Sequence, residues 1–81
     1  MMGHAMKIEV FGPGCGKCRK SYETACRVVE ARGIDAEIVK IEDLDEIVAR
    51  GILRTPAVLV DGKKVVVGRV LRERDLEGYV D

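Results

Sequence analysis

Cys15-Gly16-Lys17-Cys18 is the group of residues in this 81-residue chain whose types and spacing promise covalent chemistry. Two thiols three positions apart can close a small disulfide ring when the first turn of a helix holds them. A helix N-terminus also offers unpaired N–H groups and a positive dipole end, which favour a thiolate over a thiol. Lys17, Arg19 and Lys20 add positive charge, and no acid lies between Gly12 and Tyr22 to offset them. Thiols so placed titrate anywhere in roughly the 3.5–7.5 range. Cys15, the outer thiol, therefore reads as the nucleophile. Cys18, one turn further in on the apolar side, reads as the thiol that resolves a mixed disulfide. Zinc is the competing reading, but one Cys-x-x-C without a usable histidine gives two ligands where zinc takes four.

The pair needs a strand before it and a helix after it. Lys7 to Phe11 has the apolar content of a short strand and is stopped by Gly12-Pro13-Gly14. Gly16 to Arg32 is periodic as a helix, with Cys18, Tyr22, Ala25, Cys26 and Val29 at spacings of three and four and Gly33 as its end. Asp35 to Ile41 alternates as a second strand. Asp43 with Glu46 three residues on has the form of a capping box for a short helix through Arg50. Ala57-Val58-Leu59-Val60 fits a strand buried on both faces, Asp61-Gly62 a tight hairpin, and Lys63 to Val67 the returning strand. Leu71 to Val80 reads as a last helix without a clear N-cap residue, with Leu76, Tyr79 and Val80 inward. The order β-α-β-α-β-β-α predicts a right-handed parallel crossover followed by an antiparallel hairpin. One four-stranded mixed sheet with helices on both faces follows, an α/β fold.

That order, the Cys15-x-x-Cys18 at the first strand-to-helix turn and Thr55-Pro56 opening the third strand resemble the thioredoxin fold. The chain is most similar to the small redox-active disulfide proteins of the minimal thioredoxin/glutaredoxin-like group, from Met6 to Asp81. The resemblance implies a thiol–disulfide oxidoreductase that acts on protein disulfides and is reduced by an upstream redox protein, without a bound cofactor. It implies a cis bond before Pro56, which leaves the Thr55 backbone to pair with an extended substrate. Gly68 would border the disulfide, and Gly14, Gly16 and Lys17 complete the expected supports of the cysteine pair. A glutathione-dependent, glutaredoxin-like reductase and a non-enzymatic metal-binding or regulatory thiol module are the alternatives. Gly16-Lys17 between the cysteines and Gly14 before them depart from the usual Gly-Pro or Pro-Tyr and from the preceding Trp. Lys17 stands either as a stabiliser of the Cys15 thiolate or as a solvated side chain. Glu9, six residues before Cys15, occupies the place of a buried proton-moving carboxylate in thioredoxins, but is read here as peripheral.

Cys26 lies eight residues beyond Cys18, about 12 Å along a helix, whereas a disulfide needs Cα atoms within roughly 7 Å. It is expected to be a buried small apolar residue. The formal net charge of zero gives no field to gather nucleic acid or an anionic membrane. No apolar run approaches the roughly 20 residues of a membrane span, and no secretory signal is apparent, so a cytoplasmic monomer is expected. Met1 to Ala5 resembles a cloning remnant, which leaves His4 without a role. The rest, 6–81, reads as a single domain. The lack of Asn and Gln beside abundant charge is a hyperthermophile trend. Asp35, Glu37, Glu42, Asp43, Asp45 and Glu46 against Lys40 alone form an acidic stretch, read as a solvated rim.

Overall fold

The structure, a computed structural model, describes residues 6–14 and 16–79. Cys15, Val80 and the suspected remnant with His4 lie outside the described residues. Four strands, β1 (Met6–Phe11), β2 (Ala36–Ile41), β3 (Ala57–Val60) and β4 (Lys63–Val67), form one sheet in the order β2-β1-β3-β4. β1 and β2 are parallel, while β1 with β3 and β3 with β4 are antiparallel. Helices α1 (Gly16–Arg32), α2 (Leu44–Ala49) and α3 (Glu73–Glu77) complete the chain. This is a thioredoxin-like α/β arrangement with a mixed sheet.

Alternation along the central strands makes two cores. Ile8 and Val10 of β1 and Val58 and Val60 of β3 pack with Ala25 and Val28 of α1 and Leu76 of α3. Phe11 of β1 and Ala57 and Leu59 of β3 point the other way, toward Ile47 of α2 and Ile52. The two central strands are thus dry on both sides, as the apolar run of β3 requires. Asp61 and Gly62 take φ of 50° and 85°, the left-handed pair that a two-residue hairpin needs. Asp61 also ties the hairpin to β1, since its carboxylate accepts from the Lys7 N–H at 2.9 Å. Between Val58 and Leu59 the register shifts, which places Val65 as an extra residue in β4.

Three expectations are corrected. The inward face of α1 is Cys18, Ser21, Thr24, Ala25 and Val28, with Tyr22, Cys26 and Val29 only partly buried. The face is rotated because α3 and the strand-like segment before it cover the Ser21 side, where the Ser21 hydroxyl accepts from the Leu71 N–H at 3.0 Å. Cys26 is therefore half-buried rather than a core residue. The last helix is shorter than the pattern suggested: Leu71 is buried from an extended segment, and Tyr79 is exposed.

What starts α3 is a side chain that the sequence hid. Asp75 accepts from the Arg72 N–H at 2.9 Å and from both ends of the Arg69 guanidinium at 2.8 and 2.9 Å. The Arg69 hydrogen bonds are the chief reason that the Asp75 carboxyl titrates below its usual value, with burial opposing them. An unfolded Asp titrates near 3.9. Stability from this group is therefore present above about pH 4 and is lost as acid protonates the folded carboxyl. Asp75→Asn is expected to lower the melting temperature by several degrees at pH 7, measured by circular dichroism. The gap to the parent protein should close as the pH falls below about 4.

Candidate functional site

The strand register gathers one end of the sheet into a site. Phe11 lies beside Ile41 on one side and Ala57 on the other, and Ala57 beside Val67. The segments that enter or leave there are therefore Gly12–Gly14, Glu42, Thr55–Pro56 and Gly68. α1 starts from the same end, at Gly16. The sequence-derived site residues other than Cys15 are thus brought together, although they span more than fifty positions of the chain.

Cys18 is buried, 5% exposed, at the head of α1. Its side chain packs directly on the backbone of Gly12. A Cβ built on Gly12 would overlap Cys18 Sγ, reach within 2.8 Å of Cys18 Cβ and stand 3.8 Å from Thr55 Cβ. Gly12 is therefore the point where β1, α1 and the Thr55 loop meet. Its own N–H donates to the Ile41 carbonyl at 2.9 Å, which holds it at the end of the sheet. The sequence marks Gly12 only as part of a turn-forming Gly-Pro-Gly, so this role carries no signal of its own.

The Thr55–Pro56 peptide is cis, and Pro56 is buried. The Pro56 carbonyl accepts from the Gly68 N–H at 2.8 Å. Gly68 has a φ of 84°, and a Cβ there would come within 3.2 Å of Arg54 Cδ. A side chain at 68 is thus disfavoured by backbone conformation and by space alike. Among the described residues, neither backbone group of Thr55 enters a hydrogen bond. Gly14 has a φ of 92°, while Gly16 and Lys17 are exposed on the first turn of α1.

A cleft of about 140 Å³ opens beside Cys18, lined by Val10, Gly12, Gly14, Arg19, Lys40 and Glu42. Lys40 Nζ stands 3.9 Å from Glu42 and 5.0 Å from the centre of the Tyr22 ring. Cys26, one turn beyond Tyr22, raises the Tyr22 phenol above its usual value, chiefly by charge repulsion and then by a hydrogen bond. Lys40 and Glu42 were legible only as rim charges, because nothing in their local pattern says that β2 ends beside α1.

Glu9 is not peripheral, as expected from the sequence, but 5% exposed. Alternation nevertheless holds: Glu9 shares the α2 side of the sheet with Phe11, opposite Val10 and the cleft of Cys18. Arg50, at the C-terminal end of α2, donates to both Glu9 oxygens at 3.0 and 2.9 Å and covers the Phe11 ring at 5.1 Å. This fork is what makes burial of the carboxylate tolerable. It also raises the Arg50 guanidinium above its usual value, principally through the Glu9 hydrogen bonds. Val10, rather than a carboxylate, is the β1 side chain that faces the Cys18 cleft.

The family described as "Thioredoxin domain" matches residues 6–81. The chain belongs to that family. Its relatives include a thioredoxin of Methanothermobacter thermautotrophicus, 36% identical over 72 residues that cover 89% of this chain and 94% of the relative. A thioredoxin of Methanocaldococcus jannaschii is 46% identical over 63 residues, covering 78% of this chain and 72% of the relative. Thiol–disulfide oxidoreductase activity, in that general sense, goes with membership. In this thioredoxin-like chain Gly12 and Glu9 make separable demands. Gly12→Ala should cost about 1–3 kcal/mol by overpacking, read from urea denaturation. Adding Cys18→Ala should return part of that loss, because the two side chains compete for one space. Glu9→Gln should leave the pH dependence of disulfide exchange unmoved, since Glu9 faces away from Cys18; a displaced profile would place it in the reaction.

Proposed function

We propose that the chain reduces protein disulfides through Cys15 and Cys18 with a covalent intermediate. The Cys15 thiolate attacks one sulfur of a client disulfide, forming a Cys15–client bond and releasing the other client sulfur as a thiolate. Cys18, having given up its proton, then attacks Cys15 Sγ and expels the second client thiolate. The client gains two electrons, and Cys15 and Cys18 end as a disulfide. A separate redox protein returns them to thiols. Every step is sulfur exchange, so the chemistry asks for no bound cofactor.

The observation that carries this reading is the meeting of Cys18, Gly12 and Thr55 at the head of α1. The closeness of Cys18 to Thr55 supports a resolving role for that sulfur and the binding of a client along the Thr55 segment. The unengaged Thr55 backbone supports pairing with an extended client by strand addition. Pro56 and Gly68 brace that segment through their shared hydrogen bond, and Gly14 and Gly16 flank Cys15 with little bulk. Lys17, on the exposed surface of the first turn, adds positive charge next to the thiols.

The test is trapping. With a disulfide-bearing client, Cys18→Ser should lose turnover and accumulate covalent adducts through Cys15, visible by non-reducing electrophoresis and mass spectrometry. Cys15→Ser should lose turnover without accumulating them. Equal adducts from both variants would overturn the assignment of nucleophile and resolving thiol.

A further inference from the structure

The arrangement of charge around the site assigns it a class of partner. Away from the site, Lys7 and Arg50 are matched by Glu9, Arg27 by Glu73, Arg32 by Glu77 and Arg69 by Asp75. At the site Lys40 is paired with Glu42, but four other cations are not matched. Lys17, Arg19 and Lys20 on the first turns of α1, and Arg54 on the loop before Pro56, make no ion pair among the described residues. All four are exposed. The other unmatched cations lie elsewhere, Lys63 and Lys64 by the hairpin at the far end of the sheet and Arg72 and Arg74 at α3.

Most acids around this patch are engaged elsewhere; Glu23, beyond Lys20 on α1, and Asp45 are exposed and make no ion pair among the described residues, which leaves the four cations in excess. Glu42, the acid of the cleft, is paired with Lys40 at 3.9 Å. Asp43 accepts from the Asp45 N–H at 2.9 Å to cap α2, and Glu46 stands 4.0 Å from Arg50. Asp35 and Glu37 belong to the opposite end of β2. Two unmatched arms therefore flank the Cys18–Thr55 meeting point, α1 on one side and Arg54 on the other. Arg54 is held in place by its packing over Gly68. Leu53, 87% exposed, adds an apolar side chain next to it.

We infer that the polypeptide exchanging disulfides at this site presents its cysteines in an acidic segment, with Asp or Glu flanking them. The inference rests on the exchange reading above and names the partner for it. An acidic segment laid along Thr55 would bring negative side chains to Lys17, Lys20 and Arg54, whereas a basic one would meet unshielded like charge. Attraction between exposed charges raises the encounter rate and fades with salt.

The experiment uses the full chain, reduced beforehand, and three oxidants. Two are peptides with one internal disulfide, identical except for Glu or Lys beside the cysteines; the third is neutral hydroxyethyl disulfide. The second-order rate of oxidation of Cys15 and Cys18 is followed by alkylation and mass spectrometry. Each rate is divided by that of dithiothreitol with the same oxidant, which removes the intrinsic reactivity of the disulfide. We expect a normalised rate roughly tenfold or more higher for the acidic peptide at low salt, and near parity at about 0.5 M salt. Lys20→Glu combined with Arg54→Glu should reverse the order, and the Lys20→Gln, Arg54→Gln pair should flatten it. Equal normalised rates at low salt, or a preference for the basic peptide, would overturn the acidic partner while leaving the exchange reading standing. Failure to react with all three oxidants would overturn the exchange reading and this inference with it.

Discussion

Cys18 can lie against the end of β1 only because residue 12 carries no side chain. The buried sulfur occupies the space that a Cβ at Gly12 would need, and the Thr55 side chain bounds the same space. This contact sets how closely the head of α1, with Cys18, approaches the sheet. Protein interiors are packed too densely to absorb an extra methyl at such a junction without displacement. The cis Thr55–Pro56 segment, the Gly68 backbone and the cleft beside Val10 are arranged around it.

The central strand β1 divides the chemistry of the molecule by simple alternation. Ile8 and Val10 face α1 and α3, and Val10 forms part of the wall of the Cys18 cleft. Glu9 and Phe11 face α2, where Arg50 closes over both. A carboxylate one position along the strand would have stood with Cys18; at position 9 it is instead the buried half of an ion pair that fastens α2 to the sheet. The charged groups near Cys18 consequently come from α1, from β2 and from the residue that follows it, as Arg19, Lys40 and Glu42. The sheet thus separates a structural ion pair from the Cys18 thiol with one layer of backbone.

Much of this was legible in advance where the physics is local. The limits of α1, the Asp61-Gly62 hairpin and the dry β3 follow from apolar periodicity, turn conformations and unbroken apolar character, all of which act over a few neighbouring residues. α3 was overextended because Leu71 looks like helix periodicity but is buried from an extended segment, where Ser21, fifty positions away, binds its N–H. Cys26 and Tyr79 were placed too deep for the same reason: which face of a helix is covered depends on its neighbour. Glu9 was placed too near the surface because its partner, Arg50, is forty-one positions distant.

The order of elements, the Cys15–Cys18 spacing, the helix and turn that frame it and the alternation of β1 were properties of the chain itself, since each arises from short-range sterics and periodic burial. The closeness of Gly12 to Cys18, the pairing of Glu9 with Arg50 and the engagement of Lys40 with Glu42 beside the cleft were decided only on folding. So was the survival of Lys17, Arg19, Lys20 and Arg54 as unmatched charges around one end of the sheet. Contacts between distant segments depend on strand order, register and helix rotation. Those are settled by packing the whole core at once, and no stretch of neighbouring residues encodes them alone.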